Sequence, residues 1–196
     1  MTLHYSKDTI DKIGNAIVYF AQHINNLSKT KLLKLLYLAE EKSVKQFAMP
    51  FFGIKFDVWK LGPVAKDVFI ELSDELVLLK EFINTSSNNG NTFIEAKTEF
   101  CDDEFSNNDI KIMNEVIAEY GNLNAAQIVD VTHDKTSAWY KTAKDNNLLK
   151  LFDNQLINNS DVEVDFLYYL DGSAKEHYLE TMEVKQAFDA LKRQYA

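Results

Sequence analysis

The chain has 196 residues, 46% of them hydrophobic, and a formal net charge of −9 at pH 7. This length and composition indicate one globular domain with a sizeable core, and they exclude an intrinsically disordered chain. The acidic balance, with Arg193 as the only arginine, argues against nucleic-acid binding, because affinity for that backbone comes from Lys and Arg at phosphates.

The single cysteine, Cys101, excludes an intrachain disulfide and a multi-cysteine zinc site, which fits a reducing compartment. The first residues show no basic region followed by an apolar run, and no segment has the apolar length that a bilayer requires. We therefore expect a cytoplasmic protein that contacts neither a membrane nor nucleic acid.

The first fifty residues predict two helices. The first begins near Asp8 or Thr9 and carries its apolar residues on one face. The second has Ser28 or Thr30 as its N-cap, and it is apolar almost all round over Leu32–Leu38. A helix of this second kind is normally central in the fold.

Two lysines of the second helix, Lys31 and Lys34, share one of its faces. Long lysine stems can cover apolar surface while their amines reach water. We interpret the pair as a solvated stripe.

A strand and a turn are predicted next. Apolar and polar residues alternate over Phe52–Val58, which is the period of a half-buried strand. Gly62 and Pro63 predict a rigid turn, with Pro63 in the first turn of a helix at Val64–Leu72. The expected partner strand is Thr92–Phe100, which would close a small antiparallel sheet across that helix.

The second half of the chain predicts further helices. Ser106 and Asp109 form a capping box, Gly121 is a C-cap, and Asn124 starts the next helix. Because that helix lacks basic residues, the pair is interpreted as an αα-corner and not as a DNA-binding helix-turn-helix. A short helix is expected at Trp139–Lys144.

The last predicted helix, Ala174–Tyr195, is amphipathic. Its apolar side consists of Tyr178, Met182, Ala187, Phe188 and Leu191. We expect this side to pack on the core, the commoner fate of such a helix. The predicted class is mainly α (α+β), a single helical domain over residues 1–172 with a small antiparallel sheet or hairpin, followed by a C-terminal helix over residues 173–196 packed on the same domain.

No motif predicts an enzyme. The chain lacks a Gly-rich phosphate loop, a dinucleotide fingerprint and a Gly-flanked nucleophilic serine. Its histidines, His4, His23, His133 and His177, are scattered without the i, i+4 spacing of a helical zinc site. We predict no catalytic residue, no cofactor and no metal.

Two positions keep alternative interpretations. His133, between Asp130 and Asp134, is either a general base oriented by a carboxylate or, as we favour, a helix-end cap. Trp59 is either a core residue, which we favour, or a binding hot spot, because tryptophan is enriched in both settings.

Three groups of residues form an ordered motif. They are Lys31, Leu32, Lys34, Leu35, Leu36, Tyr37 and Ala39 on the second helix, Trp59, Gly62, Pro63 and Val64 at the turn, and Thr132, His133 and Trp139 later in the chain. Together they resemble the Panacea domain family of SocA- and GepA-like antitoxin-type and phage-associated proteins, and the resemblance spans roughly Ile10 to Leu170.

The resemblance implies a non-enzymatic module that neutralises a cognate toxin by direct association. The partner-binding or motif residues that it marks are Lys31, Lys34, Tyr37, Trp59, Gly62, Pro63, Thr132, His133 and Trp139. The expected binding groove lies near five of them, Trp59, Gly62, Pro63, His133 and Trp139. One alternative is a phage-associated interaction protein or protease adaptor that binds another protein. A second, from a different class, is a small-ligand binder or hydrolase-like enzyme centred on His133; the partner and the oligomeric state stay open.

Overall fold

The computed structural model describes residues 5–194. The helices of that range are α1 (Lys7–His23), α2 (Lys29–Phe47), α3 (Lys66–Glu71), α4 (Asn107–Tyr120), α5 (Ala125–Thr132), α6 (Ala138–Asp145), α7 (Leu148–Asp153), a 3-10 helix (Phe166–Tyr169) and α8 (Gly172–Gln194). The strands are β1 (Asp57–Trp59), β2 (Gly62–Val64), β3 (Ile83–Asn88) and β4 (Asn91–Ala96), which form two antiparallel hairpins, β1–β2 and β3–β4. The mainly α class with small β elements is confirmed, while His4 and the predicted helix end at Tyr195 lie outside the described residues.

Helix α2 is the centre of the core, as its sequence predicted. Ser28 is its N-cap and accepts a hydrogen bond from the Lys31 backbone N–H. The side chains of Leu32, Leu35 and Leu36 are fully buried. The remaining helices and both hairpins can therefore bury apolar surface against one continuous helix.

The strand predicted over Phe52–Val58 is wrong in most of its length. The backbone N–H groups of Phe51, Phe52 and Gly53 donate to the Glu40 carboxylate, which removes them from any strand ladder. Only Asp57–Trp59 is a strand, and it pairs with the segment directly after it.

The Gly62-Pro63 segment is a strand and not the start of a helix. Val58 lies opposite Pro63, and Trp59 lies opposite Gly62, so Lys60 and the next residue form the turn of this hairpin. Proline is tolerated because β2 is an edge strand. The following helix begins later than predicted, at Lys66.

The strand predicted over Thr92–Phe100 is confirmed up to Ala96, but its partner is β3. The two strands are joined at Asn89 and Gly90, which both have positive φ angles, 49° and 77°. A two-residue turn of this kind closes a tight hairpin locally. The long-range pairing with the Trp59 segment is therefore not formed.

The helix boundaries of the second half follow the predicted caps. The capping boxes of Ser106 with Asp109 and of Asn124 with Gln127 are both present, and Gly121 is the C-cap of α4. Two elements, α7 and the 3-10 helix, were not predicted; they are only 6 and 4 residues long. Elements this short carry too few residues for a periodic pattern.

Helix α8 packs with part of the apolar side predicted for it. Tyr178 is buried, whereas Phe188 and Leu191 are 52% and 55% exposed. Further along, the contact with α1 is polar, because Asp189 accepts hydrogen bonds from Ser6 and Thr9. The expectation that the whole apolar side packs on the core is wrong for the C-terminal half.

Candidate functional site

The amine of Lys34 lies inside the protein, beneath the β1–β2 hairpin. The side chain is 2% exposed, and its Nζ donates to the carbonyl oxygen of Pro63 over 2.9 Å. Burial lowers the pKa of Lys34 to about 7, because the charged form loses its hydration. The interpretation of Lys34 as part of a solvated stripe is wrong.

Lys31 is buried as well, at 8% exposure, and the same interpretation fails for it. Its Nζ donates to the carbonyl oxygen of Gly121, at the junction of α4 and α5. Each lysine thus satisfies a carbonyl of a different segment. The face that they share tethers two parts of the chain to α2.

Gly62 allows the hairpin to approach α2 and α5 closely. Its φ angle is +94°, and a Cβ atom there would lie 2.7 Å from Thr132 Oγ1 and 3.0 Å from Lys34 Cε. Thr132 is fully buried, and its hydroxyl donates to the Val129 carbonyl oxygen. No side chain larger than hydrogen fits this place without displacing its neighbours.

Trp139 contacts the β1–β2 hairpin from the buried side. It is 3% exposed, and its Nε1 donates to the carbonyl oxygen of Trp59 over 3.1 Å. Because this bond is made to the backbone of Trp59, it fixes the strand while leaving the Trp59 ring free to contact other groups. Trp139 positions the hairpin and is too buried to contact a partner itself.

His133 is the C-cap residue of α5, and its ring lies against Trp139 at a centroid distance of 4.0 Å. Burial, and then the charge of Lys34, lower the pKa of His133. Among the described residues, no hydrogen bond joins its ring to Asp130 or Asp134, and Asp134 instead accepts bonds from Thr136. The histidine–carboxylate arrangement that a general base would use is therefore not formed.

Tyr37 belongs to a buried cluster with Glu41 and Tyr169. Both tyrosine hydroxyls donate to Glu41 Oε1, Tyr37 over 2.7 Å. The Trp139 backbone N–H in turn donates to the Tyr37 hydroxyl over 3.4 Å, so this cluster positions the start of α6. Sequence reasoning missed Glu41 and Tyr169, although the i, i+4 spacing of Tyr37 and Glu41 is a signal for the first.

A surface pocket of about 550 Å³ opens beside the β1–β2 hairpin. Its apolar lining consists of Leu33, Trp59, Leu61, Val64 and Phe69, and the remaining lining residues are Lys29, Thr30, Lys34, Lys60, Asn158 and Asn159. The partly exposed Trp59 ring packs edge-on against Phe69 at a centroid distance of 5.0 Å. Of the predicted site residues, only Lys34 and Trp59 line this pocket.

The other seven predicted residues surround or support it. Gly62, Pro63, Thr132 and Trp139 fix the hairpin, Tyr37 and Lys31 hold the helices around α2, and His133 fills the space beside Trp139. The structure therefore brings three distant parts of the sequence together around one hairpin.

Two kinds of site are not found in the part of the chain that the structure describes. Within it, no three His, Cys, Asp or Glu side chains are arranged to hold a metal ion. In the same range, no helix is long and apolar enough to cross a membrane.

The fold and site define a helical domain in which a buried lysine, Lys34, and the buried Trp139 hold a surface hairpin beside an apolar pocket. The sequence model of the antitoxin SocA-like, Panacea domain matches residues 32–140, which is more than half of the 196 residues. The chain belongs to this antitoxin family. Lys31 precedes the matched segment by one residue, and the other predicted site residues lie within it. Comparisons with curated proteins and with solved structures found no match.

Proposed function

We propose that this protein is a non-enzymatic antitoxin that neutralises a cognate toxin by binding it directly. Membership of an antitoxin family supports a toxin partner in general terms. The proposed binding surface is the β1–β2 hairpin with the adjoining pocket.

The strongest support for this proposal is the way in which the β1–β2 hairpin is fixed. Buried groups from α2, α5 and α6 are all used to fix a hairpin whose tip is exposed, with Leu61 at 66% exposure. Fixing an apolar tip before binding lowers the entropy that association must overcome. A tryptophan beside such a tip is a typical anchor of a protein interface.

The test is co-expression with the product of the adjacent gene, scored by growth rescue and by affinity capture. We expect a stable complex and restored growth with the wild-type protein. Failure of both readouts would contradict the proposal. Capture without growth rescue would favour an interaction protein or protease adaptor instead.

The location of the interface is tested by Leu61→Asp, which places a charge at the hairpin tip. Its matched control is Leu179→Asp on α8, a leucine that is also exposed, at 47%, and does not line the pocket. We expect capture to fall by at least about tenfold in the first variant, as for an interface hot spot, and to be unchanged in the second. An equal effect of both substitutions would place the interface elsewhere.

A further inference from the structure

The pocket beside the β1–β2 hairpin combines an apolar wall with one sign of charge. Its volume of about 550 Å³ lies within the roughly 300–1,000 Å³ range of pockets that enclose a small ligand or a large side chain. The chain as a whole carries a net charge of −9, yet among the described residues the lining contains three lysines and no acidic residue. This local excess of positive charge selects for an anionic group.

The three lysines stand at different depths. Lys34 is at the buried end, with one described hydrogen-bond acceptor, the Pro63 carbonyl oxygen, for an amine that has three donors. Lys29 lies over the Phe69 ring, with its Nζ 4.7 Å from the ring centroid. Lys60 occupies the hairpin turn, so Lys29 and Lys60 place positive charge at the partly exposed side of the pocket, while Lys34, whose pKa burial lowers to about 7, presents hydrogen-bond donors at the buried end.

The apolar wall also has unused donors. Within the described residues, the Trp59 indole N–H has no hydrogen-bond partner, and neither do the side-chain amides of Asn158 and Asn159. Donors at the edge of an apolar surface fix the orientation of a bound group that carries acceptor oxygens. A carboxylate offers such oxygens and carries the charge that the lysines favour.

We propose that this pocket binds a segment of the partner protein in which a large apolar side chain stands next to a carboxylate. The apolar side chain packs between Trp59, Leu61 and Phe69. The carboxylate faces Lys29, Lys60 and the free donors of Lys34. This inference rests on the proposed function, whose partner it describes chemically.

The first experiment needs no partner and uses 3-phenylpropanoate as the probe, with 3-phenylpropylamine as a probe of similar size and opposite charge. The ¹⁵N-labelled protein has two tryptophans and therefore two indole N–H signals, which Trp59→Phe assigns. We expect the carboxylate to shift the Trp59 signal saturably and to bind at least about tenfold more tightly than the amine. Equal binding of both probes, or no shift with either, would overturn the assignment.

The charge requirement is tested by the double variant Lys29→Gln with Lys60→Gln, which leaves the buried Lys34 in place. We expect affinity for 3-phenylpropanoate to fall about fivefold, the effect of removing two partly exposed charge contacts. The control is Lys144→Gln with Lys150→Gln, which removes the same two charges from exposed positions outside the pocket and leaves affinity unchanged. Unchanged affinity in the double variant would overturn the role of the lysines.

A third experiment tests whether the partner protein supplies the carboxylate that enters the pocket. It uses the complex captured with the adjacent gene product. Charge reversal by Lys29→Glu with Lys60→Glu is expected to reduce capture at least about tenfold. If the partner is captured but reversal has no effect, the proposed function stands and the carboxylate assignment fails. If the probe binds as expected and no partner is captured, the pocket chemistry stands, while the antitoxin role and the partner segment both fail.

Discussion

The amine of Lys34 is enclosed by protein, and its ionisation is therefore coupled to folding. Transferring a lysine from water to an apolar interior penalises the charged form, which lowers the pKa from 10.5 to about 7. Between these two values the unfolded chain binds a proton at this site that the folded protein does not. The free energy of unfolding therefore rises with pH between the two pKa values, and this stability is lost as the pH falls towards 7.

Replacing Lys34 with methionine is expected to remove this pH dependence. The difference in unfolding free energy, wild type minus Lys34→Met, should rise between pH 7.5 and pH 9.5, by at most about 1.4 kcal/mol per pH unit. His133 titrates below this window because its own pKa is lowered. Urea denaturation of both proteins across the window measures the difference, and parallel curves would show that Lys34 keeps an ordinary pKa in the folded state.

Gly62 combines a positive φ angle with a crowded position. We expect Gly62→Ala to destabilise the fold by about 1–3 kcal/mol for the backbone alone, and further because of the contact with Thr132 Oγ1. Gly90→Ala is the matched control, since Gly90 has a φ angle of +77° but no atom of residues 5–194 lies within 4 Å of the added Cβ. Thermal unfolding of both variants separates backbone strain from crowding. Equal losses of stability in the two variants would show that crowding at Gly62 has no effect.

At the scale of elements, a carboxylate on α2 fixes the chain upstream of β1. Glu40 is buried, and it accepts hydrogen bonds from the backbone N–H groups of Phe51, Phe52 and Gly53 over 3.1, 2.7 and 3.3 Å. These bonds hold the chain in a bend at Phe51–Gly53, upstream of β1. Over Phe52–Lys55 the alternating pattern thus serves burial and not strand pairing.

Glu40→Gln is expected to loosen this bend. One carboxylate oxygen becomes an NH₂ group, so at least one buried N–H loses its acceptor, which costs about 1–3 kcal/mol. The exposed Glu183→Gln on α8 makes the same chemical change at the surface and should stay within about 0.5 kcal/mol of wild type. Denaturant titration compares the two, and similar small effects would mean that the three N–H groups do not depend on the carboxylate.

At the scale of the whole molecule, the hairpin depends on residues far along the chain. The bond from Trp139 to Trp59 spans 80 residues, and the bond from Lys34 to Pro63 spans 29. The segment before the 3-10 helix also runs beside β1, since Val58 N–H donates to the Val162 carbonyl oxygen. A hairpin with so few strand residues of its own is stable only when these parts are folded.

We therefore expect the hairpin to unfold together with the helices. Trp59 lies in β1 and Trp139 donates to its carbonyl oxygen, so the tryptophan fluorescence of the wild-type protein reports on the hairpin and its support, while circular dichroism reports on the helices. The two denaturation curves should have the same midpoint, as for a two-state domain. A fluorescence transition at lower denaturant would show instead that the hairpin opens independently.

The sequence by itself determined the local features of this protein. Ser28, Ser106 and Asn124 cap their helices, and each cap is a contact over three residues that the local sequence specifies. The unbroken apolar run of α2 made it the central helix, because such a surface must be buried on all sides. The ordered motif residues were sufficient to recognise the antitoxin family.

Only the tertiary structure decided what surrounds those residues. Lys34 is buried because Pro63, 29 positions away, accepts its hydrogen bond, and Lys31 because Gly121 does. The same lysines would be solvated if those carbonyl oxygens lay elsewhere, and no local pattern encodes where they lie. The pocket likewise forms only when α2, the β1–β2 hairpin and the segment that contains Asn158 and Asn159 pack together. A cavity is a property of the packed chain and not of any single segment.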